Sequence, residues 1–142
     1  MADIKEMECV EIKAPCRPEY VGVIRLAVLG IASRMDFSFD QVEDLRLAVG
    51  EACAAAVERA EKNGRQNTDI VVRSCIAQDR LTIDILDNAG RREELPADFN
   101  TDSDPRSIAD LLITLLVDEV NVFGDDEGTK VSLVKYSGQP HA

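Results

Sequence analysis

Four positions of one predicted helix, Asp44, Ala48, Glu51 and Ala55, lie three or four residues apart and fall on a single stripe. The carboxylates of Asp44 and Glu51 can then point at a ligand while Leu45, Val49 and Ala52 pack into a sheet. A mid-helix glutamate is more often solvated than functional, so the stripe alone names no reaction. The four cysteines, Cys9, Cys16, Cys53 and Cys75, have no CxxC spacing, and the single histidine, His141, sits in the tail. Zinc chemistry is not indicated. Free thiols in a reducing compartment are expected, with Cys53 and Cys75 as small apolar core residues.

The elements that position these residues follow from periodicity. Residues 7–14 alternate loosely and predict a first strand. Pro18 opens a helix with apolar positions Val21, Ile24, Leu26, Leu29 and Ile31, running to Met35. Ser38 or Asp40 offers a cap for the helix of the stripe, from about Gln41 to Lys62, which stops at Asn63-Gly64. Residues 69–77 and 80–87 read as a hairpin across Gln78-Asp79. Residues 88–106 are polar and rich in turn formers, which predicts an exposed loop. A short helix from Ser107 to Leu116 and a last hairpin, 120–123 and 129–136, complete the chain. Strands grouped with helices give a two-layer α+β sandwich.

At 142 residues, the chain fits one domain with a single core. A hydrophobic fraction of 45 % and a mean hydropathy of −0.13 are those of a globular protein, not a disordered one. No apolar run is long enough to cross a bilayer, residues 1–8 show no export signal, and a cytoplasmic location is expected. The net charge of −11 comes from 16 basic and 27 acidic residues without a basic stripe, which disfavours nucleic-acid binding.

The order of elements carries more. The helix start Pro18–Leu26 (PEYVGVIRL), the Val42–Val57 helix, the hairpin ending at Asp87 and the Leu115–Val120 segment (LLVDEV) match a known pattern. Over about residues 8–136 the chain resembles the anti-sigma serine kinases of bacterial stress and sporulation control. These are RsbW-type members of the GHKL, or histidine kinase-like (Bergerat-fold), ATPase class. The resemblance implies a mixed, mainly antiparallel sheet covered by helices on one face, in a single domain spanning 1–142. It implies that Glu51 is the general base for an attacking serine. By the same likeness Asp87 recognises the adenine amino group, Thr129 lies beside the adenine, and Arg25 contacts a sigma factor and a STAS-domain anti-anti-sigma factor in turn. A homodimer is also implied.

The departures concern the nucleotide. Ala55 stands where the family has a magnesium-binding asparagine, and a methyl group has no lone pair for a hard cation. The loop that reads Asp-x-Gly in the family is Asp87-Asn88-Ala89, with Gly90 one place later as a substitute. The second glycine box is Ser107-Ile108-Ala109-Asp110, which lacks both glycines and puts a carboxylate near the phosphate position. The expectation is a regulator that binds a sigma factor or a STAS partner with no cofactor and no metal. The alternative is an active serine/threonine kinase using ATP and Mg2+. Arg25 is expected on the outer face of its helix, and Leu95 or Phe99 over the vacant adenine space.

Overall fold

The structure, a computed structural model, describes residues 7–92, 100–101 and 108–138. Helix α1 (Pro18–Ala32) carries Pro18 in its first turn and buries Val21, Ile24, Val28, Ile31 and Ala32. Their spacing of three and four keeps one face on the core. Leu26, expected inward, lies outside that face and is exposed. The helix ends three residues before Met35, in a turn whose N–H groups bond back to Leu29, Ile31 and Ala32.

Helix α2 (Phe39–Lys62) begins at a complete capping box. Ser38 Oγ accepts from the Gln41 N–H at 3.1 Å, and Gln41 Oε1 accepts from the Ser38 N–H at 2.9 Å. Two of the N–H groups that a helix start leaves open are thereby satisfied. Leu45, Val49, Ala52, Cys53, Ala56 and Ala60 form its buried face.

Among the described residues, six strands form one sheet in the order β1-β2-β3-β6-β5-β4. They are β1 (Glu8–Pro15), β2 (Asp69–Ile76), β3 (Arg80–Asp87), β4 (Asn100–Thr101), β5 (Glu119–Gly124) and β6 (Thr129–Tyr136). Every pairing among the described strands is antiparallel. Strand β4 corrects the sequence reading, because two residues of the expected loop pair with Phe123 and Val122. Helix α3 (Ile108–Leu116) packs on α2 and β5. Ile70, Val72, Leu81, Ile83, Ile85, Val131 and Leu133 alternate along the strands into one core shared with α1 and α2. The expected two-layer architecture, with helices on one face, is what the chain forms.

The cysteine expectation is overturned for half of the set. Cys9 and Cys75 face each other across β1 and β2 and are joined as a disulfide. Cys75 is therefore not a core thiol. The pairing depends on the register of two strands 66 residues apart, which composition does not disclose. Cys16 and Cys53 are free and buried.

Candidate functional site

Asp87 closes β3 on the inward side, in step with Leu81, Ile83 and Ile85. Its register partners, Ile70 on β2 and Thr129 on β6, place it at one end of the sheet. The side chain is 2 % exposed and its carboxylate is fully engaged. Oδ2 accepts from Arg59 Nη2 at 2.5 Å. Oδ1 accepts from the Ala89 N–H at 3.0 Å and the Thr129 N–H at 3.3 Å. A buried carboxylate is tolerable only when its lone pairs are matched, and charge-assisted bonds are the strongest way to match them. Arg59 lies on α2 four residues beyond Ala55, so the stripe of Glu51 and Ala55 continues into the cation that takes Asp87.

Two thiols lie beneath this pair. Burial, and then the charge of Asp87, push the Cys16 thiol up to about 11. Burial pushes the Cys53 thiol up to about 12. Both are neutral core groups at ordinary pH.

A second internal pair stands at the start of α3, where Arg92 Nη2 meets Asp110 Oδ2 at 2.6 Å with both side chains buried. The chain between Asp87 and Arg92 is sewn to its surroundings. Asn63 Nδ2 donates to the Ala89 carbonyl at 2.9 Å, the Gly90 N–H donates to the Glu127 carbonyl at 2.9 Å, and Arg65 Nη1 reaches the Asn88 and Glu127 carbonyls. Gly90 has φ +95, and a Cβ there would fall 2.6 Å from Asn63 Nδ2. Here glycine permits the loop to close on the end of α2.

The residues singled out from sequence are only partly brought together. Glu51 is half-buried on α2, with no hydrogen bond or ion pair among the described residues. Ala55 is half-buried beside it. Asp44 does not join them. It faces buried Lys135 at 3.7 Å, while Ala48 between them is fully buried. Thr129 adjoins Asp87 through its N–H, and its Oγ1 is buried without a partner. The Arg25 head group is not on the outer face of α1. Its Nε is buried without a partner and its guanidinium lies on the backbone of α2 at Gly50, which has no side chain to exclude it. Arg59 and Arg92 were missed by sequence reasoning; the one available signal was the continuation of the Glu51–Ala55 stripe at Arg59. Leu95, Phe99 and Ser107 lie outside the described residues. An open groove of about 980 Å³ runs along the outer face of the sheet, lined there by Glu11, Lys13, Arg73 and Asp84, and it extends to the strand ends at Asp87 and Thr129, which also line it.

Residues 14–135 match the histidine kinase-like ATPase domain family. A serine-protein kinase RsbW of Bacillus licheniformis is 40 % identical over 137 residues, covering 89 % of this chain and 84 % of the relative. The chain belongs to the RsbW family of histidine kinase-like ATPase domains. Its RsbW relatives from Bacillus subtilis and Listeria monocytogenes, 34 % and 36 % identical, cover 89 % of this chain and 84 % and 86 % of their own lengths. Among solved structures, the RsbU and RsbW domains of a Mycobacterium tuberculosis protein superpose with a TM-score of 0.68 at 16 % identity, over 90 % of this chain and 31 % of that one. The shared fold is thus retained where few residues are.

Use of ATP and Mg2+ is a family property, and the atoms of this RsbW-type site can be tested against it. Both oxygens of Asp87 already accept strong donors, Ala55 offers no metal ligand, and Asp110 carries its own arginine. No group of three or more His, Cys, Asp or Glu able to hold a metal occurs among the described residues. Among the described residues, Thr129 Oγ1 and Arg59 Nε are buried here without a partner, and each still asks for a ligand or a water. Both inner carboxylates, Asp87 and Asp110, are thus paired within the chain. No helix among the described residues is long and apolar enough to cross a membrane.

Proposed function

We propose that this RsbW-family protein is an anti-sigma-type regulator that works by holding protein partners, without phosphorylating them. The partners in this reading are a sigma factor and a STAS-domain anti-anti-sigma factor, and neither nucleic acid nor membrane is involved. The observation that carries it is the Arg59–Asp87 pair. It saturates the carboxylate that would otherwise recognise adenine, so a nucleotide must break a buried, charge-assisted bond before gaining its own. The protein would be a single domain over residues 1–142, cytoplasmic and homodimeric. The open outer face of the sheet supports the last of these, with Leu86 and Phe123 exposed there beside charges of both signs.

Calorimetry with ATP and magnesium at about 100 µM protein tests the reading, since micromolar binding is readily seen there. No micromolar, magnesium-dependent binding is expected, and Ala55→Asn alone should not create it because Arg59 still holds Asp87. Tight magnesium-dependent binding by the unaltered protein would sink the proposal.

A second reading, an active serine kinase acting on the STAS partner, is favoured by one local observation and by kinship. Glu51 is half-buried with no partner among the described residues, which leaves its carboxylate open to a substrate hydroxyl, and the relatives are named serine-protein kinases. Transfer of radiolabelled phosphate from ATP to a purified STAS protein would establish it, and its loss in Glu51→Gln would assign the base.

A further inference from the structure

We propose that Cys9 and Cys75 form a reversible thiol–disulfide site on the outer face of the sheet, oxidised by a peroxide and reduced by small thiols or dithiols. The placement follows from the pleat. Ile70, Val72 and Ser74 of β2 point to the helices, so Cys75 points away from them, and Cys9 lies opposite on the edge strand β1. The ladder from Glu8↔Ile76 to Pro15↔Asp69 fixes that register independently of the sulfurs. The Cα atoms are 4.1 Å apart, as in a closely spaced antiparallel pair whose side chains meet. Reduced thiols therefore remain opposed, and closing the bond is an intramolecular step at high effective concentration.

Access separates this pair from the other cysteines. Cys9 is exposed and Cys75 half-exposed, whereas Cys16 and Cys53 are enclosed by the core. Thiol–disulfide exchange needs an approaching thiolate in line with a sulfur, which only the outer pair allows. In the forward direction, the Cys9 thiolate attacks one oxygen of hydrogen peroxide. The O–O bond breaks, and the departing hydroxide takes up the thiol proton as water, leaving a sulfenic acid. The Cys75 sulfur then forms the S–S bond and displaces the sulfenic hydroxyl, which leaves as a second water with the Cys75 proton. Two thiols are oxidised and one peroxide is reduced to two waters. In return, an external dithiol is oxidised to its own disulfide and supplies the two hydrogens.

The consequence is mechanical. Residues 66 apart are joined, and the edge strand that bears Glu11 and Lys13 is clamped to the strand that bears Arg73, all three lining the outer groove. This inference stands on geometry alone and does not depend on which partners the protein binds.

The test uses the full-length protein. It is reduced with dithiothreitol, desalted, exposed to stoichiometric hydrogen peroxide, and followed by intact mass after maleimide labelling in denaturant. Peroxide should protect two thiols, and dithiothreitol should release them without unfolding. The oxidised form should melt about 10 °C above the reduced form, the shift for a loop of this length in a domain of this size. Cys16→Ala with Cys53→Ala should keep the response. Cys9→Ser should abolish it, and Cys75→Ser serves as the matching control should Cys9→Ser not fold. A bond that native dithiothreitol leaves intact, thiols that peroxide leaves unpaired, or a response surviving in Cys9→Ser would each overturn the proposal.

Discussion

On the helix side of the sheet, Asp87 is 2 % exposed and its two oxygens meet an arginine and two backbone N–H groups. Three residues earlier in the same strand, Asp84 points to the outer side, is only half-buried, and lines an open groove with Lys13 and Arg73. Both are carboxylates on β3, and they differ in which solvent they see. Inside, an unmatched charge is prohibitive, so the fold supplies a cation from α2. Outside, water does the matching and the charges stay available to whatever docks there. A site placed between the layers must therefore be filled either by a ligand or by the chain itself, and here the chain fills it at both Asp87 and Asp110. The outer face is under no such obligation.

The largest expected effect breaks the inner half of that contrast. Arg59→Ala leaves Asp87 buried with only its two backbone donors, and should cost about 3–5 kcal/mol in urea unfolding. The matching change outside, Lys13→Ala, removes an exposed 3.6 Å pair with Asp69 and should cost under about 1 kcal/mol. Equal costs for the two would show that the Arg59–Asp87 pair does not seal the site. A double-mutant cycle with Asp87→Asn would then apportion the remainder.

What could be read from the residues was whatever local chemistry dictates. Ser38 with Gln41 announces a capping box, Gln78-Asp79 announces a hairpin, and inward alternation along 80–87 delivers Asp87 to a strand end. What could not be read depended on distance. Arg59 and Asp87 are 28 residues apart, and nothing local says which strand end faces the last turns of α2. Cys9 and Cys75 meet only because two strands pair in one register rather than its neighbour, which would turn the two sulfurs away from each other. Arg25 was expected outward because a cation interrupts an apolar helix. Its inward course required knowing that Gly50 of the neighbouring helix leaves room for it.

The cysteines sharpen the same contrast with a smaller effect. Cys16 and Cys53 have their thiols raised from 9.0 to about 11 and about 12, first by burial and then by a neighbouring group's charge. Above pH 9 the unfolded chain loses these protons while the native protein keeps them. Native stability should thus be whole below pH 9 and decline as the pH rises toward 11 and 12. The slope is up to about 1.4 kcal/mol per pH unit for each thiol. Urea midpoints across that range, compared with Cys53→Ala, measure it, and the variant should show the shallower decline. An identical slope in the variant would mean that other groups govern alkaline unfolding. Under reducing conditions at pH 8, maleimide should label Cys9 and Cys75 and spare the inner two.

Arg25 tests the rule at a place where the inner layer does not follow it. Its Nε is buried without a partner, and its guanidinium lies across Gly50 of α2. A Cβ at position 50 would fall within van der Waals contact of Nε and 2.6 Å from Nη2, so Gly50→Ala cannot coexist with the observed packing. Two terms then oppose each other. Displacing the guanidinium forfeits its packing, while alanine in mid-helix recovers about 1 kcal/mol of backbone propensity over glycine. Because the side chain is flexible and its head group gains water that it now partly lacks, the two should nearly cancel. Gly50→Ala should unfold within about 1 kcal/mol of the unaltered protein, with Arg25 moved out to solvent. A loss above about 3 kcal/mol, beyond the usual cost of an overpacked core, would mean that Arg25 is as firmly built into the inner layer as Arg59. A role for Arg25 in partner binding would then require it to act without leaving α2.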